Sequence, residues 1–187
     1  MHPDLLWRKN LSKGYQFMKI TTFAIKIWRW ASLLFVIGAL AWTYSLFPEM
    51  VAVDFADSGL AERYVEKGNI FYIVTGLFLL NNVVITGIAR HIPNVDPLHL
   101  PILKRKEWAR HRAELNEHLT NWLFCLVAVI NTITGFSLLA LATINSTAYK
   151  LDVFDFSWLY YTSLALVLIV FLLPLRLLWP PLHDDKL

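Results

Sequence analysis

Charge is scarce in this chain, and cysteine is nearly absent. Asp, Glu, Lys and Arg make up 17% of the 187 residues, where an ordinary soluble domain carries about 25%. The single cysteine, Cys125, rules out a disulfide framework or a multi-cysteine metal centre within one chain. There is no phosphate-binding glycine loop, no H-E-x-x-H pair and no nucleophile elbow. The chemistries that depend on those motifs are not expected, and the reading is of a non-enzymatic chain with no cofactor. The six histidines, His2, His91, His99, His111, His118 and His183, all lie outside the centres of the apolar segments, which argues against a buried bis-histidine haem. Those centres also lack Asp, Glu and Lys. A proton pump or proton-coupled transporter needs a buried ionisable group, so this chain by itself is a poor candidate for either.

Apolar residues, by contrast, are abundant. Hydrophobic residues reach 57% and the mean hydropathy is +0.49. A chain of this length has too little interior to hide them all, and disorder is excluded because disordered chains are polar. The composition predicts an all-α, integral membrane four-helix bundle forming one domain over 1–187, with a short interfacial helix before the third span.

A helix needs about 20 mainly apolar residues to cross the hydrocarbon core. Four segments qualify, at about 27–47, 70–89, 119–143 and 157–178. The first starts too far from the N-terminus, and runs too long, to read as a cleaved signal peptide. Around the spans lie an N-terminal tail 1–26, an outer loop 48–69 and a cytoplasmic loop 90–118. The net charge is +3 and the sequence pI about 9.0. The basic residues flank apolar segments, so the charge reports topology and no nucleic-acid partner is expected. Arg8, Lys9, Lys13, Lys19, Lys26 and Arg29 precede or enter the first span. Arg90, Lys104, Arg105, Lys106, Arg110 and Arg112 fall between the second and third, and Arg176 and Lys186 at the C-terminal end. Only Arg63, Lys67 and Lys150 lie opposite. The positive-inside rule then places both termini in the cytoplasm of a bacterial inner membrane. Arg29 and Arg176 are near span ends and are expected to snorkel toward headgroups.

The outer loop carries Pro48, an alternating Val51–Phe55 stretch that reads as extended, and an Asp57-Ser58-Gly59 turn signal. Its charges sum to −3, which suits either a ligand site or a solvated loop. In the cytoplasmic loop, Pro93, Pro97 and Pro101 exclude a helix and predict an extended stretch along the membrane surface. After them, Trp108, Leu115, Leu119 and Trp122 share a face of a helix expected to run on into the third span. Another face carries Glu107, His111, Glu114 and His118, whose offsets suit a metal but are also those of a solvated, ion-paired surface, the reading favoured here.

The polar residues deep in the spans are amides. Asn81 and Asn82 in the second span and Asn131 in the third lie at matching depth, roughly 17–18 Å from the outer ends of their helices at 1.5 Å per residue. They are candidates for an interhelical clamp or a polar ligand lining, with Thr132 and Thr134 nearby. Thr75, Gly76, Thr86, Gly87, Gly135 and Ser137 permit close helix approach, and Pro174 is a candidate kink in the fourth span.

Pro48, Val51-Ala52-Val53-Asp54-Phe55, Gly59 and Lys67-Gly68, followed by Leu100-Pro101, Trp108 and the charged run Arg110–Glu117, resemble a family of unknown function that forms the N-terminal part of SdpI-type immunity membrane proteins. The resemblance covers about residues 27–143. Family members commonly carry a histidine before the phenylalanine, where this chain has Asp54. The resemblance implies a multi-span membrane protein, in some members an immunity factor, and little chemistry. Three functions follow as expectations: an immunity or envelope-stress protein, an accessory subunit of a larger membrane complex, and a small transporter or metal-dependent membrane enzyme. The partners expected are the lipid bilayer and other membrane subunits.

Overall fold

The structure is a computed structural model, and it describes residues 20–146 and 153–180. Helix α1 spans Ile20–Leu46. A hairpin of β1 (Met50–Phe55) and β2 (Ala61–Glu66) follows. The second span is built from α2 (Lys67–Leu79), a π-helical segment Leu80–Ile85 and α3 (Thr86–His91). Two 3-10 turns, Ile92–Asn94 and Pro97–His99, lead to the short α4 (Arg105–Arg110). Helix α5 (Arg112–Ile144) is the third span. The fourth comprises a 3-10 turn Val153–Phe156, α6 (Ser157–Leu172) and a 3-10 end Leu173–Leu178. Four helical stretches are long and apolar enough to cross a membrane. Lipid offers no hydrogen bonds to the backbone, so each stretch meets its own polar groups by coiling.

Burial ranks the helices. In α5, 56% of the most apolar window is buried, against 11% in the fourth span. The third span is therefore the post around which the others stand. Contacts fix the directions. Thr22 meets Glu117, Trp28 meets Thr132 and Phe35 meets Phe136, so α1 and α5 run parallel. Asn81 meets Asn131 and Ala89 meets Thr120, so the second span is antiparallel to α5. Trp122 meets Val170 and Trp108 meets Leu177, so the fourth is antiparallel too. The hairpin thus lies at one end of the bundle. The start of α1, the 92–111 connection and the end of the fourth span gather at the other.

Several expectations need correction. The first helix begins at Ile20, so residues 20–26 of the expected tail are helical; residues 1–19, 147–152 and 181–187, with Lys150 and Lys186, lie outside the described residues. The proline-rich stretch is not extended but forms two 3-10 turns, each with proline at its start, where a missing N–H costs nothing. The helix before the third span does not run on into it. At His111 the backbone turns to φ −112°, ψ 40°, which separates α4 from α5. The Trp108, Leu115 and Leu119 face nevertheless packs as one buried cluster with Leu177, Trp122 being partly buried against it. Of the small residues, Gly135 is the one whose lack of a side chain is used: a Cβ there would overlap the ring of Phe35. Gly76 and Gly87 have open space around them.

Candidate functional site

Three polar places stand out against the apolar bundle. The first is the hairpin end. Gly59, at φ 79°, takes the left-handed turn position that glycine adopts without strain. The turn closes through Gly59 N–H to the Ala56 carbonyl (2.8 Å) and Ala56 N–H to the Leu60 carbonyl (2.9 Å). Strand β1 presses on the bundle: Val51 is fully buried with Ala39, Phe47, Ile70, Leu138 and Ala142. Pro48, Asp54 and Phe55 flank that contact, Pro48 and Asp54 exposed and Phe55 half-buried, and Asp54 lies 3.9 Å from Arg63. The free edge of β1 is met by Asn145, the residue after α5. Its Oδ1 accepts from Ala52 N–H (2.7 Å), and its Nδ2 donates to the Ala52 carbonyl (3.0 Å) and the Leu141 carbonyl (2.9 Å). One amide side chain therefore replaces a missing strand neighbour and caps a helix. Lys67 ties the hairpin base to Glu49 at 2.6 Å. Tyr64 and Leu60 remain exposed on the outer side.

The second place is the amide centre at mid-depth. Asn82 and Asn131 exchange hydrogen bonds at 2.9 and 3.0 Å. Asn81 Nδ2 donates to Asn131 Oδ1 (2.9 Å) and to the Val127 carbonyl (3.0 Å). Asn82 Nδ2 also donates to the Phe78 carbonyl (3.0 Å). The three amides meet where the helix widens into its π segment. A π turn places two successive residues closer to one face than an α turn allows, so Asn81 and Asn82 both reach Asn131. Thr132 turns elsewhere, accepting from Trp28 Nε1 at 3.1 Å. Both Asn81 and Asn131 are almost wholly buried, and Asn81 Oδ1 has no partner.

The third place is the opposite end. Pro174 has no N–H, so the Val170 carbonyl loses its helical donor. Trp122 Nε1 supplies one at 2.9 Å. Beyond it, along the 3-10 end, His118 Nε2 meets Leu173 O at 3.0 Å and Trp108 Nε1 donates to Leu177 O at 2.9 Å. Three ring nitrogens of α4 and α5 thus stitch down the last turns of the fourth span. Beside the stitch lies a polar hollow of about 140 Å³, lined by Thr21, Glu114, Glu117, His118, Asn121 and Arg176, with Trp108 at its wall. Glu117 accepts from Thr22 (2.7 Å) and Arg176 donates to the Trp179 carbonyl.

Glu107 belongs to α4, while Glu114 and His118 belong to α5, with the backbone break at His111 between them. His118 is spent on a backbone carbonyl. Among the described residues no three His, Cys, Asp or Glu side chains come together to hold a metal. Arg29 is buried, its guanidinium 4.6 Å from the Phe124 ring and 5.1 Å from that of Trp30. The amide depth match and the Asp57-Ser58-Gly59 turn were visible in the sequence. Asn145 was missed, although an asparagine just past a long apolar run is a recognised helix-ending signal. The proline-to-tryptophan stitch had no sequence signal, because a carbonyl freed by proline can be met from any neighbouring helix.

Comparison with family models, with curated proteins and with solved structures gives no match to this chain.

Proposed function

We propose that the chain is a non-enzymatic, multi-span inner-membrane protein of the immunity or envelope-stress type, with both termini cytoplasmic and the 50–66 hairpin as its outward recognition element. The observation that carries the reading is the way the hairpin is held. A two-stranded hairpin by itself is marginal in water. Here it is clamped by Asn145, by the burial of Val51 and by the Lys67–Glu49 pair, while Leu60 and Tyr64 face out. Loop ordering before binding lowers the cost of recognition, and a rigid apolar-and-aromatic tip suits contact with an amphipathic toxin at the membrane surface. The spacing that resembles SdpI-type proteins runs through the same hairpin.

The test is deletion of the protein in its host, followed by challenge with membrane-active peptide toxins. Sensitisation is expected, with rescue by the wild type and failure of rescue by the Leu60→Ser/Tyr64→Ser variant, whose changes are on the exposed side. Unchanged sensitivity across the toxins, or full rescue by the variant, would count against the reading. The accessory-subunit alternative draws on the fourth span, which buries little of itself. A stoichiometric membrane protein that co-purifies in mild detergent would favour it.

A further inference from the structure

Arg29 carries a positive charge that no carboxylate among the described residues pairs with. Only 9% of its surface is exposed. The Nε is buried without a hydrogen-bond partner. Among the described residues no carboxylate forms an ion pair with it. Glu117 faces the same helix pair, but it bonds to Thr22 and lies seven residues before Phe124, about 10 Å farther along the helix axis. The aromatic faces of Phe124 and Trp30 attract the cation but accept none of its N–H bonds in the ring plane. Arg90, exposed at the end of the second span, follows Ala89, which packs with the same Phe124 that Arg29 lies against. A buried cation with a second cation nearby is unfavourable unless an anion joins them.

The depth says where the anion comes from. Helix α1 has 27 residues and is about 40 Å long. A hydrocarbon core is about 30 Å thick. With Leu46 at the hairpin-side boundary, the core ends near residue 27, which puts Arg29 a few ångströms inside. Arg90 lies at the corresponding end of the second span, near Ala89, which packs with Phe124. Lipid phosphates lie just outside that boundary, within reach of a long side chain directed toward it, and a guanidinium fork matches phosphate oxygens with two parallel bonds.

We propose that Arg29 and Arg90 together hold the phosphate of an anionic phospholipid headgroup at the end of the bundle opposite the hairpin. The phosphate supplies the acceptors that Arg29 lacks and separates the two guanidinium groups. The ligand is a structural lipid drawn from the leaflet in which these residues sit.

The full chain is purified and placed in nanodiscs containing equal phosphatidylglycerol and phosphatidylcholine, and retained lipid is read by native mass spectrometry. Wild type is expected to retain phosphatidylglycerol preferentially. Arg29→Gln and Arg90→Gln are each expected to lower that preference by about fivefold, the scale of one basic residue at an anionic surface. Arg29→Lys should recover part of it, keeping the charge without the fork. Arg90 is exposed, so its variant reports even where Arg29→Gln fails to fold. Equal retention of the two lipids by the wild type overturns the proposal, as does an unchanged preference in Arg90→Gln. Thermal stabilisation by inorganic phosphate in detergent, with no lipid retained, would assign the site to a free anion instead. A protein captured by a photocrosslinker at position 29 would assign it to a partner's acidic group.

Discussion

Asn131 accepts from two amides through one oxygen and returns one bond through its nitrogen. Replacing it removes the acceptor of Asn81 and Asn82 and the donor to Asn82 at once, in a buried place. Asn131→Leu is expected to destabilise the folded chain by about 1–2 kcal/mol, toward the upper end of what polar side chains contribute between membrane helices. Unfolding in mixed micelles, followed by circular dichroism, measures it. A loss within error of zero would show that the amides re-pair locally with the backbone. The positions and equal depth of these three residues were legible from spacing alone. The pattern of bonds was not, because it depends on a π segment that turns two successive asparagines toward one neighbour. Single-residue chemistry also misled where context overrode type. His118 reads as a ligand and serves as a carbonyl partner.

At the scale of elements, the end of the fourth span depends on the third. Pro174 frees the Val170 carbonyl and Trp122 occupies it. Trp122→Phe keeps the aromatic packing and orphans that carbonyl, at an expected cost of about 1 kcal/mol. Pro174→Ala restores a backbone donor, so Trp122→Phe should cost measurably less in the Pro174→Ala background. A double-mutant cycle by micellar unfolding reads the coupling, and strictly additive costs would show that the two residues act independently. The proline was visible in the sequence as a break, but which helix would answer it was not. The hairpin behaves similarly. Alternation in 51–55 and the Asp57-Ser58-Gly59 turn announced β1 and its bend, whereas β2, with Glu62, Arg63, Tyr64 and Glu66 exposed, has no apolar alternation to announce it and is defined by its pairing with β1.

At the scale of the whole molecule, the described residues form an up-down-up-down bundle around α5, with the hairpin at one end and the basic connection at the other. The charge bias predicts which end faces the cytoplasm. A Ser58→Cys variant should react with a membrane-impermeant maleimide in intact cells, and a Leu103→Cys variant only after permeabilisation. Both sites are exposed, while Cys125 is buried and contributes little background. The reverse labelling pattern would refute the orientation. Membrane residence, the number of spans and their alternation were all determined by the sequence, because a bilayer reads apolar length directly, with no reference to which side chains touch. The post-like role of α5, the strand-mimicking Asn145, the broken helix at His111 and the burial of Arg29 were decided only by the tertiary structure. Each depends on which face of one helix meets which face of another, and lipid, being as apolar as the side chains it surrounds, leaves the apolar pattern of a span silent on that choice.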